Sequence, residues 1–100
     1  MSYKLKFLPS AWKEWEKLGA GIKEQFKKKL GERLQNPLVQ ADRLRGFKNH
    51  YKIKLRSVGY RMVYEVEKKE VVVFVIAVGK RENDLLYRRA RRRDLKNKDS

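Results

Sequence analysis

Residues 51–64, with the sequence YKIKLRSVGYRMVY, alternate between apolar and cationic side chains, and this pattern constrains the fold more than any other in the chain. Successive side chains of a β-strand point to opposite faces. The alternation therefore predicts two strands, each with an apolar face and a cationic face. A turn at residues 57–59 would join them into a hairpin in which Leu55 pairs with Tyr60.

That pairing would place Lys54 directly opposite Arg61, on the same face as Lys52. Like charges opposite each other destabilise a sheet. A hairpin that nevertheless keeps three cations together predicts an anionic ligand, and a phosphodiester is the first candidate. The alternative is a plain solvated face, because lysines on edge strands also resist aggregation. Periodicity alone favours this second interpretation.

The first half of the chain predicts one strand and two helices. Residues 3–7 alternate as a strand does. Ser10 is a suitable N-cap for a helix that ends at Gly19. Residues 22–34 carry apolar side chains at intervals of four, which is typical of a second helix. The short, glycine-containing link between the helices predicts an antiparallel pair.

The second half completes an α+β fold. Residues 71–78 are apolar on both faces, which indicates a central strand that ends at Gly79. A short final helix is predicted over residues 84–93. The predicted architecture is two N-terminal antiparallel helices packed on a four-stranded, mostly antiparallel sheet, with a short C-terminal helix, in the order β-α-α-β-β-β-α. One domain is expected over residues 1–94, with a polar, flexible tail over 95–100.

Positive charge is spread through the whole chain. The formal net charge is +15, and both halves contribute: residues 1–50 have 12 basic and 5 acidic side chains, and residues 51–100 have 15 and 7. A fold charged in this way attracts polyanions through its field and through the release of counterions. This composition favours nucleic acid as the partner, with an acidic protein as the next candidate.

Several classes of protein are excluded. The chain has no cysteine and one histidine, His50, so it offers neither a thiolate site nor a multi-histidine metal site, and neither metal nor cofactor is expected. The longest apolar run, residues 71–78, is far shorter than the ~20 residues of a membrane helix. No signal peptide is recognisable at the N-terminus. We therefore expect a cytoplasmic protein that does not bind membranes.

Cleavage of RNA by the substrate's own 2′-hydroxyl suits a site built from cations and a tyrosine. The reaction needs a base for the hydroxyl, positive charge for the phosphorane and an acid for the leaving 5′-oxygen. Arg81 follows the central strand and Tyr87 lies on the first turns of the last helix, so both are candidates. The Tyr87 ring could stack on a base or simply cover the core, and the residues alone do not decide between these roles.

A lysine can act as the base only if its pKa falls well below ~10.4. Neighbouring cations lower a lysine pKa because they disfavour its charged form. The proximity of Lys52, Lys54 and Arg61 therefore predicts such a shift. Arginine keeps its proton and is better suited to stabilising negative charge.

The chain resembles the RelE toxins of bacterial toxin–antitoxin systems over about residues 2–93. The matching segments are specific for RelE within the wider RelE/ParE superfamily. They are residues 12–19 (WKEWEKLG), 24–30 (EQFKKKL), 43–46 (RLRG), 51–64 and 71–82 (VVVFVIAVGKRE).

The resemblance implies a metal-independent endoribonuclease that cuts mRNA in the ribosomal A site, leaves a 2′,3′-cyclic phosphate and inhibits translation. It implies that Lys54, with Lys52, supplies the base or its electrostatic support. Arg61 would stabilise the phosphorane and Arg81 would serve the leaving group. Two further side chains would bind RNA: Tyr87 would orient the A-site codon, and Arg45 would contact ribosomal RNA.

The family also implies a RelB-like antitoxin that wraps the toxin and displaces or blocks its last helix. The pair would bind operator DNA and repress its own operon, so DNA is a partner only of the complex. The chain departs from the family after Tyr87, where residues 88–93 are unusually basic. Two other classes remain open: a ParE-like toxin that inhibits DNA gyrase without cutting RNA, and an RNA-binding module without catalysis.

Overall fold

The computed structural model describes residues 2–80 and 85–99, with side chains described as far as Arg93. This part of the chain forms four strands, three helices and one short 3-10 turn. In chain order they are β1 (Lys4–Phe7), α1 (Pro9–Glu16), α2 (Ala20–Gln35), the 3-10 turn (Gln40–Asp42), β2 (His50–Leu55), β3 (Tyr60–Glu67), β4 (Val72–Lys80) and α3 (Leu85–Asp99).

The four strands form one mixed sheet in the order β1-β4-β3-β2. The β2–β3 and β3–β4 pairs are antiparallel, and β1 is parallel to β4. The predicted α+β class and mostly antiparallel sheet are thus confirmed. The predicted hairpin register is also confirmed, because Leu55 lies opposite Tyr60 and Lys54 opposite Arg61.

Each face of the sheet has its own apolar cluster. On the first face, α1 and α2 pack on the sheet, and Trp15 and Phe26 are buried there. On the second face, α3 packs through Leu86 and Ala90 against Val63 and its neighbours. Burying a leucine side chain stabilises a fold by about 1.5–3 kcal/mol, so Leu86 is a principal anchor of α3. The cationic face of the hairpin is therefore the face that carries α3.

The β1–β4 pairing covers only part of β4. Phe7, the last residue of β1, lies opposite Val75, whereas β4 continues to Lys80. The backbone groups beyond Val75 on this edge therefore need partners from outside the sheet. At the opposite side, β2 is itself the edge strand.

Several predicted boundaries were wrong. Ser10 does not cap α1: the N-cap is Leu8, and Pro9 occupies the first turn, where its missing N–H has no consequence. Gly19 does not end α1, which stops at Glu16; it is the N-cap of α2. Gly79 does not end β4, because it still pairs with Arg61 of β3.

The last helix extends beyond its predicted end at residue 93 and reaches Asp99. Its predicted start, Asp84, lies outside the described residues. The division into a domain over residues 1–94 and a tail over 95–100 stays a prediction. None of the helices in the described ranges is long and apolar enough to cross a membrane.

Candidate active site

The three cations of the hairpin lie on the second face of the sheet, next to α3. Lys54 is directly opposite Arg61, and Lys52 lies one position along the same face, opposite Val63. All three cationic side chains are half-buried. Lys54 and Arg61 line an open cleft of about 390 Å³ at the end of the hairpin, together with Leu55, Arg56, Gly59 and Tyr60.

The charge of its neighbours lowers the pKa of Lys54. The largest contribution comes from the charge of the Lys52 ammonium, followed by partial removal from water and by the charges of Arg61 and Arg56. A lower pKa increases the neutral fraction of Lys54 at physiological pH. The arrangement therefore favours Lys54 over an isolated surface lysine as a proton acceptor.

Tyr87 brings α3 into contact with the cation cluster. The Arg61 guanidinium donates a hydrogen bond to the Tyr87 hydroxyl at 2.8 Å. The guanidinium carbon also lies 5.9 Å from the centre of the Tyr87 ring, within cation–π range. Tyr87 is half-buried beside the buried Leu86. The structure therefore joins Tyr87 to Arg61, a contact that the sequence did not predict.

Of the other two predicted site residues, the structure describes only one, and it lies away from the cluster. Arg45 is exposed on a separate surface formed by the loop after the 3-10 turn. This loop is connected to α3, because Arg91 donates a 3.3 Å hydrogen bond to the Gly46 carbonyl and lies over the Phe47 ring. Arg81 lies outside the described residues.

Arg33 supports the strand that carries the lysines, and sequence reasoning missed it. This residue of α2 donates hydrogen bonds to the carbonyl of Lys52 at 3.1 Å and to the Tyr64 hydroxyl at 2.9 Å. It also forms a salt bridge with Asp42. The Tyr64 hydroxyl in turn donates to the Pro37 carbonyl at 2.7 Å. Arg33 thus links α2, the following loop and β2.

The ionisation of this network is fixed by its surroundings. Burial raises the pKa of the Tyr64 hydroxyl, so it stays protonated. Burial would lower the pKa of Arg33, but its interactions with Tyr64 and Asp42 outweigh this effect and raise the pKa. A cation in the last turn of a helix is ordinary, so no sequence pattern pointed to the role of Arg33.

Glu14 is the second residue that sequence reasoning missed. Its carboxylate accepts hydrogen bonds from the Val78 backbone N–H and from the guanidinium groups of Arg89 and Arg93. Val78 belongs to β4, and the two arginines belong to α3. Only the folded topology brings these residues to one carboxylate, so no local pattern could have identified it.

Comparisons with known proteins identify the family. Residues 5–85 match the ParE toxin of type II toxin–antitoxin systems. The mRNA interferase toxin RelE of Escherichia coli is 55% identical over 95 residues, which is 95% of this chain and 100% of that protein. The chain therefore belongs to the ParE toxin family of type II toxin–antitoxin systems, as a RelE-type toxin.

Solved structures agree with this assignment. The free form of a mutant E. coli RelE has a TM-score of 0.87 and 54% identity, over 93% of this chain and 98% of that one. A chain of the intact E. coli RelBE toxin–antitoxin complex has a TM-score of 0.80 and 56% identity, over 82% of this chain and 100% of that one.

Proposed function

We propose that this toxin cleaves mRNA in the ribosomal A site and thereby inhibits translation. The observation that carries the proposal is the group of Lys52, Lys54 and Arg61 on one sheet face, where neighbouring charge lowers the pKa of Lys54. The group occurs in a chain that is 55% identical to a named mRNA interferase. A plain solvated strand would not need three cations on one face, two of which lie directly opposite each other.

The proposed reaction begins when neutral Lys54 removes the proton of the substrate 2′-hydroxyl. The 2′-oxygen attacks the adjacent phosphorus, the bond to the 5′-oxygen breaks, and the leaving oxygen takes up a proton from water, so the products are a 2′,3′-cyclic phosphate and a 5′-hydroxyl end. Lys52 assists by lowering the pKa of Lys54 through charge repulsion, which increases the neutral fraction of Lys54. No metal ion takes part in this scheme.

Arg61 has the role of stabilising the negative charge of the phosphorane. A guanidinium carries five N–H donors, and the hydrogen bond to Tyr87 orients the group while leaving others for phosphate oxygens. Preorganised donors of this kind are worth about 10²–10³-fold in rate. Arg81 is proposed to neutralise the leaving 5′-oxygen, and Tyr87 to orient the codon.

The remaining positive charge would provide affinity for the ribosome. The net charge of +15 supports binding to ribosomal RNA, and exposed Arg45 is a proposed contact. The same charge suits an acidic antitoxin. Because E. coli RelE is known in complex with RelB, we propose a RelB-like antitoxin for this chain, operator binding only through that complex, and a cytoplasmic location.

Mapping mRNA ends after expression of the toxin in cells tests the proposed function. Primer extension should find new 5′ ends inside translated regions, and Lys54→Ala should remove them. Lys28→Ala is the matched control, because Lys28 is exposed on α2, and it should cut as the wild type does. Intact message together with loss of DNA supercoiling would replace the proposal by gyrase inhibition. Intact message on tightly bound ribosomes would leave RNA binding without catalysis.

A further inference from the structure

The free part of the β4 edge is closed by charged side chains from two helices. Beyond Val75, the Ile76 carbonyl accepts a hydrogen bond from Arg93 at 2.7 Å, and the Val78 N–H donates to Glu14 at 3.1 Å. These are alternate residues of the strand, as expected for successive groups on one edge. Glu14 and Arg93 therefore take the place that a longer β1 would occupy.

Glu14 connects the two faces of the sheet. It belongs to α1, whose residues Ala11 and Trp15 are buried in the cluster on the first face. Its partners Arg89 and Arg93 belong to α3, which packs on the second face. The Glu14 side chain is 16% exposed and that of Arg93 is 18% exposed, so their charge-assisted hydrogen bonds are partly shielded from water, whereas the Arg89 side chain is 36% exposed.

The charge of Glu14 also offsets a repulsion within α3. Arg89 and Arg93 are four residues apart, so their side chains lie on the same side of the helix, where like charges repel. The Glu14 carboxylate lies between them and accepts from both, at 2.5 Å from Arg89 and at 2.9 and 3.1 Å from Arg93. Without it, two partly buried guanidinium groups would lie on the same side of the helix with no negative charge between them.

We infer that Glu14 is a positioning residue for the proposed cleavage site. Glu14 anchors α3 through Arg89 and Arg93 and thereby fixes the helix turn that carries Tyr87. The Tyr87 hydroxyl in turn accepts the 2.8 Å hydrogen bond from the Arg61 guanidinium. Glu14 itself does not touch the cation cluster and acts through Tyr87. The part of this inference that concerns cleavage rests on the proposed function, whereas the anchoring of α3 does not.

The test compares Glu14→Gln with Glu16→Gln. Both variants remove one negative charge from α1 without changing side-chain size, but Glu16 is exposed and has no described partner in α3. In Glu14→Gln, amide hydrogen exchange at Ala90, whose N–H lies inside the helix, should accelerate about tenfold, the loss expected for one charge-assisted bond. Exchange in the sheet core, at Met62, should keep its wild-type rate. Unchanged exchange in α3 would overturn the inference.

A double-mutant cycle on programmed ribosomes tests the connection to cleavage. Glu14→Gln should lower kcat about tenfold, whereas in a Tyr87→Phe background it should lower kcat much less, because residues acting through one contact are not additive. Equal effects in both backgrounds would overturn the positioning role. If the wild type cuts no message, the proposed function fails, and hydrogen exchange still decides whether Glu14 anchors α3.

Discussion

At two edges of the sheet near the site, side chains of opposite charge bind the free backbone groups of the strands. At the β2 edge, Arg33 of α2 donates to the Lys52 carbonyl. At the free part of the β4 edge, Glu14 of α1 accepts from the Val78 N–H. Both α1 and α2 pack on the first face of the sheet. The side chains of Glu14 and Arg33 nevertheless bind the backbones of β4 and β2, the strands on whose second face α3 and the cation cluster lie. At both edges, a backbone group that could otherwise pair with a strand of another chain is thus hydrogen-bonded within the protein.

The difference lies in what each side chain supports. Arg33 fixes the backbone of a residue in the cation cluster, and it is bonded to the buried Tyr64. Glu14 fixes a separate helix, which contacts the cluster through the hydrogen bond between Tyr87 and Arg61. We therefore expect loss of Arg33 to reduce fold stability and activity together. Loss of Glu14 should affect the docking of α3 while the sheet persists.

Replacing Lys54, the proposed general base on β2, should change the activity most. Lys54→Met should lower the single-turnover rate of mRNA cleavage about 10²–10⁴-fold, the usual contribution of a general base. Lys4→Met, which removes an exposed lysine from the strand at the opposite edge, should leave the rate unchanged. Equal rates for Lys54→Met and the wild type would mean that the cleavage site does not lie on β2.

A smaller effect should follow from removing the neighbour that lowers the pKa of Lys54. The Lys52 ammonium is the largest cause of that shift, so Lys52→Met should raise the pKa of Lys54. The rising limb of the pH–rate profile should then move to higher pH, with slower cleavage at neutral pH and a recovered rate under alkaline conditions. A uniform loss of rate at every pH would instead assign Lys52 a direct contact with the substrate.

Replacing Arg33 sharpens the contrast between the two edges. Arg33→Met should lower the free energy of unfolding by about 1–3 kcal/mol, because the buried Tyr64 hydroxyl and the Lys52 carbonyl lose a donor. Urea denaturation would measure the change, with Lys29→Met, an exposed substitution on the same helix, as the control. A stability equal to that of the control would mean that Arg33 does not secure the β2 edge.

The smallest effect concerns stability as a function of pH. The pKa of Lys54 is lower in the folded protein than in the unfolded chain. Between these two values the unfolded chain binds more protons, so stability should rise with pH and level off near ~10.4. The difference between wild type and Lys54→Met in thermal melts should follow this rise. A wild-type curve that falls relative to the variant across that window would contradict the pKa direction.

The sequence predicted the parts of the site that depend on local periodicity. Alternation along residues 51–64 was sufficient for the hairpin register and for the pairing of Lys54 with Arg61, because side chains repeat every two residues in a strand. It also predicted the proximity of cations that lowers the pKa of Lys54. The predicted catalytic roles themselves remain to be tested.

The sequence could not predict the charged side chains that close the sheet edges. Arg33 and Glu14 lie in amphipathic helices, where a charged residue normally faces solvent. Their partners are separated from them in the chain, by 19 residues for Arg33 and Lys52 and by 75 for Glu14 and Arg89. Such contacts depend on where β1 ends and on how three helices lie across the sheet, which local patterns do not specify.

In the proposed mechanism, this toxin cuts mRNA by using the substrate's own 2′-hydroxyl as the nucleophile. The most direct test uses ribosomes programmed with two messages that differ only by a 2′-hydrogen in place of the hydroxyl next to the cut site. The all-RNA message should be cut to a 2′,3′-cyclic phosphate, and the substituted message should stay intact. Equal cleavage of both messages would contradict this mechanism.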